Sequence, residues 1–124
     1  MKIVNLTKKT MIAEEVEKAE SFWKKAKGLM FRKSLPEGKA ILLIFEKEGN
    51  HGIWMPFMRF PIDAIFLDSR KRVVKIHENI QPMSLNPKTW KIYHSKPVKY
   101  IIEMNAFSVK TTKTETGDII EFRN

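Results

Sequence analysis

Strand-like segments separated by turns follow one another along most of this chain and only one stretch changes to a helical period, which leaves few folds open to it. "KIVNL" alternates apolar and polar residues, and "TMIAEEVE", after the polar "TKK", reads as its return in a hairpin. From Ser21 the apolar residues Phe22, Trp23, Ala26, Leu29 and Met30 recur at helical spacings, which places them on one face. That pattern predicts a short helix over residues 20–28, with Ser21 as its N-cap and Gly28 as its stop signal. "LPEG" is a turn with proline at its second position. The near-continuous apolar run "KAILLIFE" that follows it is what a strand buried on both faces requires.

"KEGN" returns the chain into "HGIWM", and "IDAIFLD" resumes as a strand after an interruption between Pro56 and Pro61. "SRKR" is a charged turn into "VVKIHENI", whose alternation predicts Val73, Lys75 and His77 on one face and Val74, Ile76 and Glu78 on the other. "QPMSLNPKTWKIYHSKP", with three prolines, reads as a long excursion of the kind that often carries function. "VKYIIEMN" is again a strand, "AFSVKTTK" one helical turn or an irregular crossing, and "TETGDIIEF" a turn and a final strand. Strands with one short helix and no βαβ alternation predict a mainly β fold, a compact antiparallel β-barrel or sandwich. A length of 124 residues suits a single domain over 1–124.

The chain is 43% hydrophobic and 30% charged, a globular composition. Its longest apolar run, Ala40 to Phe45, is far short of the roughly 20 residues that span a bilayer. "MKIVNLTKKT" has no apolar core of signal-peptide length, so the expectation is a cytoplasmic protein with no membrane partner. The absence of cysteine removes disulfides, thiolate nucleophiles and Cys-ligated metal. His51, His77 and His94 lack the helical spacing of a zinc motif, so neither metal nor cofactor is expected. Lysine far outnumbers arginine and Gln81 is the only glutamine, a thermophile-like bias.

The formal charge of +9 favours nucleic acid, acidic proteins and anionic surfaces as partners. It is spread along the chain, with local clusters at Lys24 to Lys33, at Arg70 to Arg72, and at Lys88, Lys91, Lys96 and Lys99. No G-x-S-x-G elbow and no glycine-rich loop before a helix is present, which argues against hydrolase, kinase and dehydrogenase chemistry.

Pro56 and Pro61 cannot donate to a β-ladder, so the strand between them must be broken or bulged, and Phe57, Met58, Arg59 and Phe60 are expected at a rim. Broken strands at rims are recurrent sites of function. Asp63 then stands at the entrance to an apolar strand, with Arg59 the nearest partner in sequence. Two readings are open: Asp63 anchors a polar ligand or acts as a general base, with Trp54 as a stacking platform, or Asp63 caps backbone N–H groups and Trp54 is core.

"GLMFRKSL", "GKAILLIFE", "WMPFMRFPIDAIFLD", "VVKIHENI" and "YIIEMNA" followed by "GD" resemble, in this order, the domain-of-unknown-function family 192, also called uncharacterised protein family 127. The resemblance covers nearly the whole chain after about residue 10 and implies a compact, mainly β fold with no established activity. Gly28, Leu29 and Met30 match the family's "GLM", Trp54 and Met55 its "WM", Pro61 and Asp63 its "P-x-D", Phe66 its strand aromatic, and Glu103 its "LE". Pro56 and Phe57 depart from its polar "KN", and Phe107 stands where the family has glycine.

These observations favour a monomeric binding module for a small polar ligand, such as a sugar, or a peptide, held at a rim by Trp54, Met55, Phe57, Arg59, Asp63 and Glu103. The alternative is single-stranded nucleic-acid binding through Lys88, Trp90, Lys91, Tyr93 and Lys96, where aromatic and basic residues interleave. A third reading is an acid-base enzyme built on Asp63, Glu103 and His51.

Overall fold

Eight strands form two sheets whose order differs from their order in the sequence. The computed structural model describes residues 1–124, with the side chains at positions 22, 95 and 96 outside the description. The roles given above to Phe22 and Lys96 therefore lie outside the described residues. β1 (Lys2–Asn5), β2 (Thr10–Ala13) and β8 (Ile120–Arg123) make a three-stranded sheet of order β2-β1-β8. β3 (Glu15–Ala19), β4 (Lys39–Ile53), β5 (Ile62–Leu67), β6 (Val73–Ile80) and β7 (Tyr93–Asn105) make a five-stranded sheet of order β3-β4-β7-β5-β6. Two short α-helices, α1 (Phe22–Lys27) and α2 (Ser108–Thr112), and one 3-10 turn at Pro87–Thr89 complete the fold.

Alternation on the central strands divides the core. Ile41 and Leu43 on β4, Ala64 and Phe66 on β5, and Ile101 on β7 pack with Leu29, Leu35, Met55 and Met58. The intervening residues, Ala40 and Leu42, Ile65 and Leu67, and Ile102 and Met104, pack on the other face against Ile3, Ile12, Ile120 and Val109. That second cluster joins the two sheets face to face as a sandwich, and they do not close into a barrel. Apolar runs are what such strands need, because every residue of β5 is buried. Each large apolar side chain buried here contributes about 2 kcal/mol.

Local signals cap α1 as expected: the Ser21 hydroxyl accepts from the Lys24 N–H at 3.2 Å, and Gly28 ends the helix at φ +49°; the apolar face expected of it is not formed, since Trp23 is 79% exposed and Ala26 is exposed. Four local expectations are corrected. "KEGN" does not return the chain into a new strand, because β4 runs on through it from Lys39 to Ile53 with irregular pairing to β7 between Ile44 and His51. "TMIAEEVE" is not one hairpin strand, because the N–H groups of Glu14 and Glu15 both donate to the Gly38 carbonyl and turn the chain. β3 then runs parallel to β4 at the sheet edge, where exposed Glu15, Glu17 and Lys18 discourage edge-to-edge pairing. On β6, Val73 packs with Ile76 and not with the Lys75 face, because the β5–β6 pairing slips between Phe66 and Leu67. The last part of the proline-rich excursion, from Tyr93, belongs to β7. Among the described residues no helix is long and apolar enough to cross a membrane.

Candidate functional site

A cleft of about 380 Å³ opens between α1, the segment that leaves it, and the β4–β7 half of the larger sheet. Its position follows from the helix stop. Gly28 turns the chain so that Leu29 drops into the core at 1% exposure and Met30 follows the cleft wall. Leu43, Phe45 and Ile53 from β4, with Met58 and Trp54 from the broken strand, supply the remaining apolar surface. Lys25 and Lys27 stand on its helical side. The Lys25 ammonium lies 4.7 Å from the Phe45 ring centroid and donates to the Ile44 carbonyl at 3.1 Å.

Glu103 projects from near the C-terminal end of β7, between Ile41 of β4 and Ala64 of β5, and reaches this cleft. The residue is 5% exposed, and its Oε1 has no hydrogen-bond partner among the described residues. Burial pushes its carboxyl up to about 7, against the opposing pull of the Arg32 charge. Arg32 is itself paired with Glu17 at 2.6 Å. The carboxyl fits only because position 28 has no side chain: a Cβ on Gly28 would lie 2.8 Å from Glu103 Oε1. His51 shares the cleft, stacked on Phe45 with ring centroids 3.9 Å apart and its Nε2 2.8 Å from the Lys47 carbonyl.

Asp63 is the opposite case. It is fully buried, yet Oδ1 accepts the Asn79 N–H at 2.8 Å and Oδ2 accepts the Val109 N–H at 2.9 Å. It thereby ties the β6 backbone, where Asn79 has φ +50°, to the first turn of α2, and it does not line the cleft. That geometry is the backbone-capping alternative, and no ion pair joins Asp63 to the exposed Arg59 among the described residues.

The other rim residues spread out. Trp54 lines the cleft at 54% exposure, whereas Met55 is buried and its carbonyl accepts from the N–H groups of Met58 and Met83. Phe57, exposed and at φ +60°, stacks on Phe31 at 4.9 Å, and its carbonyl accepts the Phe31 N–H. This pairing pins the broken strand to the segment after α1. Trp54, Glu103 and His51 are thus brought together, while Asp63, Arg59, Phe57 and Met55 are not.

Of the basic and aromatic set, Trp90 is exposed with its indole N–H donating to the Ser84 carbonyl at 2.5 Å. Lys88 is exposed, and Lys91 places its ammonium 5.0 Å from the Tyr93 ring centroid. Tyr93 is half-buried against the core and edge-on to His77, so Trp90 and Tyr93 do not form one open stacking face. Sequence reasoning missed Lys25, Phe45 and Leu43 as cleft residues. Their spacing carries no signal, since helix and strand meet only in the folded chain.

A family model described as DUF192, Uncharacterized ACR, matches residues 3–122. A UPF0127 protein of Pyrococcus abyssi is 38% identical over 123 residues, covering 97% of this chain and 96% of that one. A UPF0127 protein of Thermococcus kodakarensis is 34% identical over 121 residues, covering 97% of this chain and 72% of that one. A crystal structure from Sinorhizobium meliloti 1021, of a protein described as a candidate transcription regulator, superposes with a TM-score of 0.81 at 27% identity and covers 97% of this chain and 89% of its own. A protein of unknown function from Novosphingobium aromaticivorans shares the fold with a TM-score of 0.83 at 22% identity, covering 98% of this chain and 82% of its own.

Proposed function

Since the chain belongs to the DUF192 family of uncharacterised proteins, we propose its function from the cleft itself: it is a binding module that takes a small polar ligand or a peptide side chain between α1 and the larger sheet. The observation that carries this reading is that Glu103, a buried carboxyl with one oxygen unpartnered among the described residues, is among the residues lining a cleft with apolar and aromatic walls. Buried polar atoms are nearly always hydrogen-bonded, and one left empty costs about 1–3 kcal/mol. Asp63 illustrates how this fold treats a carboxylate used for architecture, with both oxygens bonded to backbone N–H groups. A ligand donor that completes Glu103 recovers the cost, and about 380 Å³ is room for a small molecule. Trp54 offers a ring to stack on, and the Phe31–Phe57 pair holds the loop beside it.

The test is a nitrogen-15 NMR titration against a fragment library of sugars, amines, carboxylates and short peptides. Saturable shifts of the Gly28, Leu29 and Trp54 indole signals are expected. Hits confined to other surfaces, or none, would overturn the reading.

The nucleic-acid alternative draws on the charge of +9, on Lys91 above Tyr93, and on the regulator description of the Sinorhizobium protein. It requires an affinity that falls steeply with added salt, whereas a ligand seated on Glu103 loses little.

A further inference from the structure

We infer that the cleft selects an apolar-bodied zwitterion, its ammonium group turned inward to Glu103 and its anionic group outward to Lys25 and Lys27. This deepens the reading above and rests on it. The cleft is lined by opposite charges: a buried carboxyl on the central strand of the larger sheet and two lysines on α1. A ligand that is only a cation meets a protein of net charge +9 and the two lysines before it meets Glu103. A ligand that is only an anion is attracted to the edge and repelled from the interior.

Sugars are disfavoured for a different reason. The rest of the lining includes Leu29, Met30, Leu43, Phe45, Ile53 and Met58, which leave a ring of hydroxyls without partners. A methylene chain suits that surface. The aromatic wall already accepts an ammonium, since Lys25 Nζ sits over Phe45. Among the described residues this Nζ uses one of its three donors, on the Ile44 carbonyl, so the others are available to an incoming carboxylate. Glu103, buried with one oxygen unpartnered among the described residues, is the matching acid inside, and an ammonium–carboxylate bond there is charge-assisted and shielded from solvent.

The test uses the whole chain and three probes with the same stem, 6-aminohexanoate, hexylamine and hexanoate, followed through the Gly28 and Trp54 indole signals. 6-Aminohexanoate is expected to bind at least about threefold more tightly than either single-charge probe. Glu103→Gln should weaken it about tenfold. Lys25→Met should weaken it while leaving hexylamine binding as tight or tighter, and this half-buried variant decides the matter if Glu103→Gln does not fold. Nα-acetyl-lysine, which keeps the α-carboxylate and the ε-ammonium and has its α-amine in an amide as in a C-terminal lysine residue, separates a peptide source from a free compound: binding at least as tight as that of 6-aminohexanoate assigns the C-terminal lysine of a peptide, and weaker binding assigns the free compound. Hexanoate binding as tightly as 6-aminohexanoate, or indifference to both substitutions, would overturn the inference. If neutral fragments move the cleft signals and the zwitterions do not, the inference falls and the cleft remains a binding site; if no fragment or probe moves them, both fall.

Discussion

Replacing Glu103 by glutamine should stabilise the protein, and the gain should depend on pH in a way that only a buried, unpartnered carboxyl produces. The carboxyl is raised from an ordinary 4.5 to about 7 by burial, so the folded chain holds this proton more tightly than the unfolded chain does. Below about pH 4 both states are protonated and the group costs nothing. Between about 4.5 and 7 the unfolded chain ionises first, and stability is lost as pH rises through that window. Above 7 the loss is complete, and a rise of this size converts to about 3 kcal/mol. Glutamine keeps the shape and has no charge to bury. The variant should therefore exceed the wild type by about 3 kcal/mol at pH 8 and match it, within a constant offset, at pH 4. Urea unfolding of both proteins, followed by tryptophan fluorescence from pH 4 to 8, measures the difference, and subtraction removes the titration of other groups. A difference that stays flat across this range, or grows as pH falls, would refute the assignment of Glu103 as a desolvated acid without an internal partner.

Further outcomes follow from the same geometry. Asp63→Asn replaces an acceptor of two backbone N–H groups by one that accepts on a single side, and should cost about 2–3 kcal/mol in denaturant titration at neutral pH without shifting cleft signals in NMR; an unchanged midpoint would contradict the capping role. Gly28→Ala puts a Cβ 2.8 Å from Glu103 Oε1 at a φ of +49°, and should cost about 2 kcal/mol and abolish ligand shifts at the cleft, read by the same two methods. For Asp118, burial alone would raise the carboxyl, but hydrogen bonds from Asn5, the Glu115 N–H and Lys8, with the Lys8 charge, hold it below its usual range. The stability it contributes is present above pH 4 and lost as pH falls through the lowered value, so Asp118→Asn should be less stable than wild type at pH 7 and should approach it near pH 2 in urea titrations.

Much of the fold was legible because local chemistry and burial agree. Ser21 and Gly28 bracket a helix in sequence and do so in space, and the two-sided apolar run "KAILLIFE" is a strand covered on both faces. What could not be read was pairing. The sequence offers no reason for β3 to lie parallel to β4, since that choice is made by the Gly38 carbonyl, which takes two N–H groups from residues over twenty positions earlier. The candidate site was half legible. Trp54, Glu103 and His51 were each singled out, but on separate grounds, and nothing in their spacing says that they share a cleft. Asp63 attracted attention as a carboxylate beside an apolar strand, and its partners are the backbone N–H groups of Asn79 and Val109, which any residue but proline could supply, so no side-chain pattern announces them.

The pairing of β1 with β8, from Lys2 opposite Arg123 to Asn5 opposite Ile120, bears on the order in which the molecule assembles. Every strand of the larger sheet lies within residues 15–105, whereas the smaller sheet needs two segments more than a hundred positions apart. Contacts of such long range form late, because the loop must close before they contribute. Until they do, Leu42, Ile65, Leu67 and Ile102 form an open apolar face with no cover. The interval before the terminal strands dock is the moment at which the chain is most exposed to association with its own copies, and substitutions that weaken β1 or β8 lengthen it while leaving the cleft untouched.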